Sequence, residues 1–240
     1  RAVYQNGTVY LRGRWHLDTR NSFMLRECGR DGLFEVARLG ALPIQRAARS
    51  TIGTALSSMQ MLEAMRSGIL IPSAKAQAED FRPADAFLSA DKGGLVYEPE
   101  TGWHGEVAEY DFASMYPALM VDHNISPETV NCPCCRDNLV PEIGHWLCRR
   151  RPGLVPKVLA PLLKKRARYK ALAKTDHPDK DSYKARAAAH KWILVTCFGY
   201  LGFSNARFGK IEAHECVTAW GRETLLRAKD AVERRGFRML

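Results

Sequence analysis

The segment EYDFASMYPA, residues 109–118, brings together within a few positions residue types that could do chemistry. Asp111 follows a run in which apolar and polar residues alternate, and this pattern predicts a strand that ends near the carboxylate. Tyr116 and Pro117 come shortly afterwards. Carboxylate oxygens are ligands that suit Mg²⁺, and a neighbouring aromatic ring suits a bound nucleotide. The same pattern is also compatible with an ordinary strand-to-helix turn.

A second group of candidate residues lies on two predicted helices. Arg166 and Lys170 are four positions apart in LLKKRARYKAL, so they share one helix face. On the next helix, Lys191, Val195 and Phe198 share a face at positions i, i+4 and i+7. Three cations and an aromatic ring suit a triphosphate, because positive charges offset the charge on a transferred phosphoryl group. A solvated basic face beside a core phenylalanine would have the same spacing.

Several segments, in order along the chain, resemble motifs of the family B DNA polymerases. DFASMYPA resembles D-x-x-S-L-Y-P-S, with Met115 for leucine and Ala118 for the last serine. Arg166 and Lys170 match the R-x-x-x-K pair of the fingers, and KWILVTCFG resembles K-x-x-x-N-S-x-Y-G. GGLVYEPETG resembles the segment before the first motif, and LFEVARLGALPIQRAARSTIGT resembles the link from the exonuclease domain to the palm. The resemblance covers residues 33–240. The pattern of these motifs is similar to that of a divergent prokaryotic branch of the family.

The resemblance implies a role for each matching position. Asp111, with the backbone carbonyl of Phe112, would hold two Mg²⁺ ions that activate a primer 3′-hydroxyl and neutralise the leaving pyrophosphate. Tyr116 would lie under the deoxyribose and exclude a 2′-hydroxyl. The implied partners are primer–template DNA and deoxynucleoside triphosphates. The implied catalytic residue is Asp111, and the nucleotide-binding residues are Phe112, Ser114, Met115, Tyr116, Arg166, Lys170, Lys191, Val195 and Phe198.

The chain departs from the family pattern in two places. Val195, Thr196 and Phe198 replace the asparagine, serine and tyrosine of the second motif, so polar contacts are lost while shape is kept. The third motif, with a second catalytic aspartate, is expected just beyond Leu240. We therefore expect the 240-residue chain alone to be nearly inactive, and another chain or a C-terminal segment to complete palm and thumb. The rival hypotheses are a non-catalytic DNA-binding or scaffolding subunit and a basic helical nucleic-acid module with a zinc loop.

The cysteines form a separate candidate site. Cys132, Cys135, His145 and Cys148 have a spacing compatible with tetrahedral zinc, and Cys134 is a rival fourth ligand. The thiols could instead be buried as small hydrophobic groups. The seven cysteines are an odd number without an evident disulfide framework, which favours a reducing compartment. We expect the protein to be located in the cytoplasm of a prokaryote, in association with the nucleoid.

Charge and hydropathy narrow the choice of partners. Lys and Arg number 36 against 26 Asp and Glu, and the resulting net charge of +10 favours a polyanionic partner such as nucleic acid. The longest apolar run, residues 192–203, is broken by Gly199 and Gly202 and is too short to span a bilayer. A membrane partner is therefore not expected.

The elements that must position these residues follow from hydrophobic periodicity and turn residues. Two short strands are predicted within 7–18, around a turn at Gly13 and Arg14. Strands at 93–99 and 106–112 are predicted to form a hairpin. The remaining predicted segments are helices at 32–39, 46–51, 55–67, 155–173, 183–197 and 213–234, and a linker at 71–90.

With the resemblance, these elements imply an α+β fold class. A polymerase palm, an antiparallel sheet with helices, would be joined to a two-helix fingers hairpin and preceded by the tail of an RNase H-like exonuclease domain. Residues 1–40 would end the exonuclease-like domain, and 41–90 would form the helical connector and linker. The other segments would be 91–131, first part of the palm; 132–152, Cys-rich loop; 153–203, fingers helices; and 204–240, second part of the palm.

Overall fold

The computed structural model describes residues 2–5, 8–11, 13–73, 81–90, 93–95, 98 and 100–240. The described strands and helices are β1 (Ala2–Gln5), β2 (Thr8–Leu11), α1 (Phe23–Leu39), α2 (Ile44–Arg49), α3 (Ile52–Arg66), α4 (Ala84–Ala90), α5 (Met115–Asp122), α6 (Leu154–Leu172), α7 (Lys180–Leu201) and α8 (Ile211–Glu233). The chain divides into two compact units, residues 1–71 with 160–200 and residues 72–159 with 201–240.

The strands of the first unit form an antiparallel pair near the N-terminus. Ala2 lies opposite Leu11, and Gln5 lies opposite Thr8. Of the two strands predicted within 7–18, the first agrees with β2. The second, after the turn at Gly13 and Arg14, is wrong, because residues 13–18 are irregular. In the sequence, β1 and β2 are separated by Asn-Gly, the dipeptide that most favours a short hairpin connection. This signal explains why the observed strand pair lies closer to the N-terminus than the predicted pair.

The longest N-terminal helix, α1, starts well before the predicted residue 32. Ser22 provides the reason, because its hydroxyl accepts a hydrogen bond of 3.2 Å from the backbone N–H of Leu25 and so caps the first turn. The helix breaks at Gly29, whose φ of 62° requires glycine. Beyond the break, Gly32 packs closely on α7, where a Cβ would lie 2.8 Å from the carbonyl oxygen of Ala185. The buried side chains of this unit include Met24, Leu33, Leu56, Leu162, Ile193 and Leu194.

The predicted helices at 155–173, 183–197 and 213–234 agree with α6, α7 and α8. The main difference is at the ends of α7, which begins at Lys180 and continues to Leu201. Among the described helices, none has both the length and the apolar character that crossing a bilayer requires.

The second unit contains α4, α5 and α8 but no strand among its described residues. The strand predicted at 106–112 is irregular, and part of the strand predicted at 93–99 lies outside the described residues. The predicted palm sheet is therefore not confirmed. Every residue from 101 to 112 is exposed, so no buried face fixes a strand register, and an isolated hairpin is at best marginally stable. The core consists of side chains such as Leu119, Met120, Ile125, Leu147, Leu159 and Val217.

Candidate functional site

The aspartate motif lies in the second unit, directly before α5. Asp111 and Phe112 are exposed in an irregular segment. Ser114 follows in the left-handed conformation, with φ 57° and ψ 50°, and α5 begins at the next residue. Such a conformation is unusual for a residue other than glycine and often occurs at functional sites. The turn places an exposed carboxylate before a helix that buries Leu119 and Met120 in the core.

The Tyr116 ring packs on α8 at a glycine. A Cβ added at Gly221 would lie 3.0 Å from Cε1 of Tyr116 and 3.7 Å from Cε of Met115. Gly221 lies in the interior of α8 and is buried, so the absence of its side chain leaves the space that the tyrosine ring uses. Sequence reasoning did not identify Gly221, although an isolated glycine inside a regular helical pattern is a signal for close packing.

The far end of α5 is fixed on the same helix by stacked rings. His123, which follows α5, stacks on Trp220 with 3.6 Å between the ring centroids and an interplanar angle of 15°. Burial lowers the pKa of His123, and the nearby Arg227 guanidinium acts in the same direction against the opposing effect of Asp122. The neutral ring can therefore stack on the indole. Tyr116 and His123 together fix the position of α5 along α8.

The basic face predicted on the fingers helices lies in the first unit. On α6, Arg166 is half-buried and Lys170 is exposed. On α7, Lys191 and Val195 are exposed, whereas Phe198 is half-buried. Lys170, Lys191 and Val195 are therefore accessible to a ligand, whereas Arg166 and Phe198 are partly covered.

An aromatic cluster sets the register between α6 and α7. Tyr169 stacks on Tyr183 with ring centroids 5.9 Å apart, and it meets His190 edge to face at 5.4 Å. Tyr169 lies next to Lys170 and His190 lies next to Lys191 in the sequence. The cluster therefore fixes the backbone positions from which both lysines extend.

A buried carboxylate joins this cluster to α1. Glu35 is 3% exposed, and its oxygens lie 2.6 Å from Nη2 of Arg38, 3.4 Å from the Tyr169 hydroxyl and 3.7 Å from Nε2 of His190. Burial lowers the pKa of His190, although Glu35 and a hydrogen bond with the Arg186 carbonyl act in the opposite direction. Sequence reasoning did not identify Glu35, because nothing in its local pattern distinguishes it from a surface glutamate.

The structure changes the fourth member of the predicted cysteine site. The sulfurs of Cys132, Cys134, Cys135 and Cys148 all lie within 4.8 Å of one another. His145 points elsewhere: its Nδ1 lies 3.1 Å from the Asn131 side-chain amide and its Nε2 lies 3.3 Å from a Glu215 oxygen. Cys134, the rival ligand, therefore completes the cluster in place of His145.

Glu215 is the reason for the position of His145. This glutamate of α8 is fully buried, and the guanidinium of Arg82 binds both of its carboxylate oxygens, at 2.9 and 3.0 Å. Burial acts to raise the pKa of Glu215, but the hydrogen bonds with His145 and Arg82 outweigh it and leave this pKa lowered. The ionised carboxylate thus links α8 to the segments that carry Arg82 and His145.

We expect Glu215→Gln to destabilise the protein at neutral pH by about 3 kcal/mol, because it removes the buried charge that pairs with the partly buried guanidinium of Arg82. The folded-state pKa is below the unfolded value, so the stabilisation is present above the unfolded pKa and is lost as the pH falls through the folded pKa. Denaturant unfolding of both proteins from neutral to acidic pH measures the effect. The difference should shrink on acidification.

Glu223→Gln is the matched control, because Glu223 forms a partly exposed pair with Arg227 one turn away and such pairs contribute less than about 1 kcal/mol. A loss of stability in Glu215→Gln that is no larger than in this control, or that does not depend on pH, would contradict the ionised buried pair.

Comparison with known proteins gives one consistent family. The sequence model of DNA polymerase family B matches residues 43–239. The chain is 39% identical to DNA polymerase 2 of Saccharolobus solfataricus over 209 residues, which are 87% of this chain and 31% of that protein. It is 33% identical to DNA polymerase 1 of Pyrococcus abyssi over 210 residues, which are 86% of this chain and 27% of that protein.

A solved structure supports the same assignment. The family B DNA polymerase from the hyperthermophilic archaeon Pyrobaculum calidifontis matches with a TM-score of 0.64 and 29% sequence identity, over 85% of this chain and 27% of that chain. The chain therefore spans about a third or less of the length of these relatives. The family model covers most of the sequence, and the chain belongs to DNA polymerase family B.

Proposed function

We propose that this chain is the palm and fingers part of a template-directed DNA polymerase, which adds deoxynucleotides to a primer 3′ end. The observation that carries the proposal is the aspartate motif: an exposed Asp111 carboxylate stands before α5, and the Tyr116 ring is held against Gly221. One residue thus offers an exposed carboxyl group, and another offers a ring that packs on a helix. This is the arrangement that metal binding and nucleotide selection would need.

The donor groups near Asp111 fit magnesium. The carboxylate of Asp111 and the backbone carbonyl of Phe112 are hard oxygen donors, and both residues are exposed. Two Mg²⁺ ions bound there, with further ligands from the rest of the protein and the substrate, would supply Lewis-acid activation of the primer hydroxyl and charge neutralisation at the pyrophosphate. Asp111 would hold and orient these ions.

The other proposed site residues would bind and select the nucleotide. Arg166, Lys170 and Lys191 would neutralise the triphosphate through charge-assisted hydrogen bonds. Tyr116 would exclude the 2′-hydroxyl by steric overlap. Ser114 and Met115 would place the ring, since they form the turn into α5 and its first residue. Val195 and Phe198 would contribute apolar contact in place of the polar groups of the family motif.

A non-catalytic DNA-binding subunit is the second candidate, and one observation favours it. Val195 is 58% exposed at a position where the family motif has asparagine, so a polar contact to the nucleotide is missing. Primer extension by the full-length protein with Mg²⁺ and deoxynucleotides distinguishes the two. The polymerase should extend the primer according to the template, whereas the non-catalytic subunit should bind the same DNA without incorporation.

Binding of primer–template DNA to the 240-residue chain should weaken steeply with salt and depend little on sequence. Each phosphate neutralised by Lys or Arg releases condensed counterions, which gives a log–log slope of about 0.9 per contact for duplex DNA. Fluorescence anisotropy over a series of salt concentrations measures this slope. Two duplexes of unrelated sequence serve as the internal control and should give equal slopes. Affinity that stays constant from low to high salt would show that the basic surface is not a DNA-binding surface.

A further inference from the structure

Four cysteine sulfurs lie within 4.8 Å of one another in the segment that connects α5 to α6. The Cys132 sulfur lies 3.6 Å from that of Cys134 and 3.4 Å from that of Cys135. Cys148 lies 3.5 Å from Cys134 and 3.8 Å from Cys135, and Cys134 lies 3.9 Å from Cys135. Cys132 and Cys148 are buried, whereas Cys134 and Cys135 are partly exposed. The cluster is thus closed on one side and accessible on the other.

These distances fit a tetrahedral metal site. Zinc binds thiolates at about 2.3 Å, which places the sulfurs of a tetrahedron about 3.8 Å apart. Five of the six separations between the four sulfurs lie between 3.4 and 3.9 Å, and all six lie within 4.8 Å. A disulfide would join two sulfurs at about 2.0 Å and leave the other two thiols packed against it. All four thiols instead face a common centre.

The backbone around the cluster is fixed on both arms. Val130 and Leu147 form a β-bridge, and the backbone N–H of Cys148 donates to the carbonyl of Thr129 at 2.9 Å. The indole N–H of Trp146 donates to the carbonyl of Cys132 at 2.8 Å. Two ligand residues are therefore held in place by hydrogen bonds that do not depend on a metal, and this preorganisation favours binding.

The charge around the cluster is also suitable. Four thiolates around one Zn²⁺ carry a net charge of −2, which neighbouring cations stabilise. The side chain of Arg151 lies against the Cys134 and Cys148 thiols. Arg136, next to Cys135 in the sequence, lies over the Trp146 ring at 4.7 Å from its centroid. Arg151 therefore provides a positive charge beside two of the sulfurs, and no carboxylate is in the group of ligating atoms.

We propose that Cys132, Cys134, Cys135 and Cys148 bind one structural Zn²⁺. Four sulfur ligands leave no open position for a water or a substrate, so the site is structural and not catalytic. The inference rests on the cysteine geometry alone and does not depend on the proposed polymerase activity.

The site would fix the connection into α6. The Asn124 side-chain amide donates to the carbonyls of Cys148 and Arg151, each at 2.8 Å. Its oxygen accepts from the N–H of Gly153 at 2.7 Å. Glu128 and Ser126 accept from the N–H groups of Leu154 and Val155, the first residues of α6. Zinc bound at Cys148 would therefore hold the chain at the point where these caps start the helix.

The test is the metal content of the purified full-length protein, measured by inductively coupled plasma mass spectrometry. We expect one zinc per chain. Cys134→Ser should lose it, whereas His145→Gln should keep it, and this pair of variants separates the four-cysteine site from the Cys₃His set that the spacing also allows. Cys197→Ser is the matched control, since Cys197 is a buried cysteine on α7, outside the cluster, and this variant should retain the zinc.

Cobalt replacement gives a readout that does not depend on any variant being folded. Co²⁺ in the wild-type protein should show the thiolate charge-transfer bands and the intense visible bands of a tetrahedral tetrathiolate. Zinc-free protein with a disulfide between two of these cysteines, found by thiol counting and peptide mass spectrometry, would overturn the proposal. Loss of zinc in His145→Gln with retention in Cys134→Ser would overturn the assignment of the fourth ligand.

Discussion

Asp111→Asn should reduce nucleotide incorporation by the full-length protein at least about a thousandfold, which corresponds to ~4 kcal/mol of activation free energy. The carboxylate is the ligand that would hold magnesium, and a bound metal contributes several kcal/mol of charge stabilisation in phosphoryl transfer. Asp111 is exposed, so asparagine should leave the fold and its melting temperature unchanged. Single-turnover primer extension, together with a thermal melt of the same preparation, measures both effects.

Glu109→Gln is the matched control for this variant. Glu109 is also an exposed carboxylate, two positions before Asp111. The substitution removes one carboxylate from the same segment but leaves the proposed ligand in place. Its incorporation rate should remain within a few-fold of wild type. Full activity in Asp111→Asn would show that this aspartate is not the metal ligand, and DNA binding without incorporation in the wild type would favour the non-catalytic subunit.

The helices of this chain were predictable because their signals are local. The apolar spacing at 155–173 and 183–197 lies close to the observed α6 and α7, since each turn of a helix hydrogen-bonds within its own segment. A palm sheet requires partner strands from distant parts of the chain. The alternation in residues 106–112 indicates a strand, but it contains no information about a partner, and the segment is exposed and irregular.

The fourth member of the cysteine cluster could not be predicted for a similar reason. Cys134 and His145 both have acceptable spacing relative to the other cysteines. The choice depends on Glu215, which is far away in the sequence and binds His145 in the folded protein. A buried carboxylate needs hydrogen-bonding partners. Glu215 takes the imidazole of His145 as one of them, which keeps this ring away from the cysteine sulfurs. The contact of Gly221 with Tyr116 is equally non-local.

The position of the Tyr116 ring on Gly221 supports the proposed selection against ribonucleotides by steric exclusion. Exclusion by overlap requires a ring that cannot move away when a hydroxyl is added. A Cβ at position 221 would come to 3.0 Å from Cε1 of Tyr116, which means that the ring already lies against the α8 backbone. The helix therefore acts as a rigid support on that side, whereas a ring at the edge of a loop would yield to the extra atom.

Tyr116→Ala should sharply raise ribonucleotide incorporation by the full-length protein, while deoxynucleotide incorporation falls less. Alanine leaves at best a tolerant apolar space, and such a space discriminates only about a hundredfold against an added hydroxyl. Tyr116→Phe should keep the selectivity, because the ring remains. The measurement is the ratio of kcat/KM for a deoxynucleotide and its ribonucleotide counterpart in wild type and variants.

Gly221→Ala tests the support without removing the ring. The new methyl group would displace Tyr116 from α8, so the ratio of kcat/KM values should change although position 116 is untouched. Gly105→Ala is the matched control, since a Cβ there meets nothing within 4 Å, and the ratio should stay at the wild-type value. If Tyr116→Ala keeps the wild-type ratio, the tyrosine is a packing residue of the α5–α8 contact and does not select the sugar. If Gly221→Ala keeps the wild-type ratio while Tyr116→Ala changes it, selectivity depends on the ring itself and not on its support by α8.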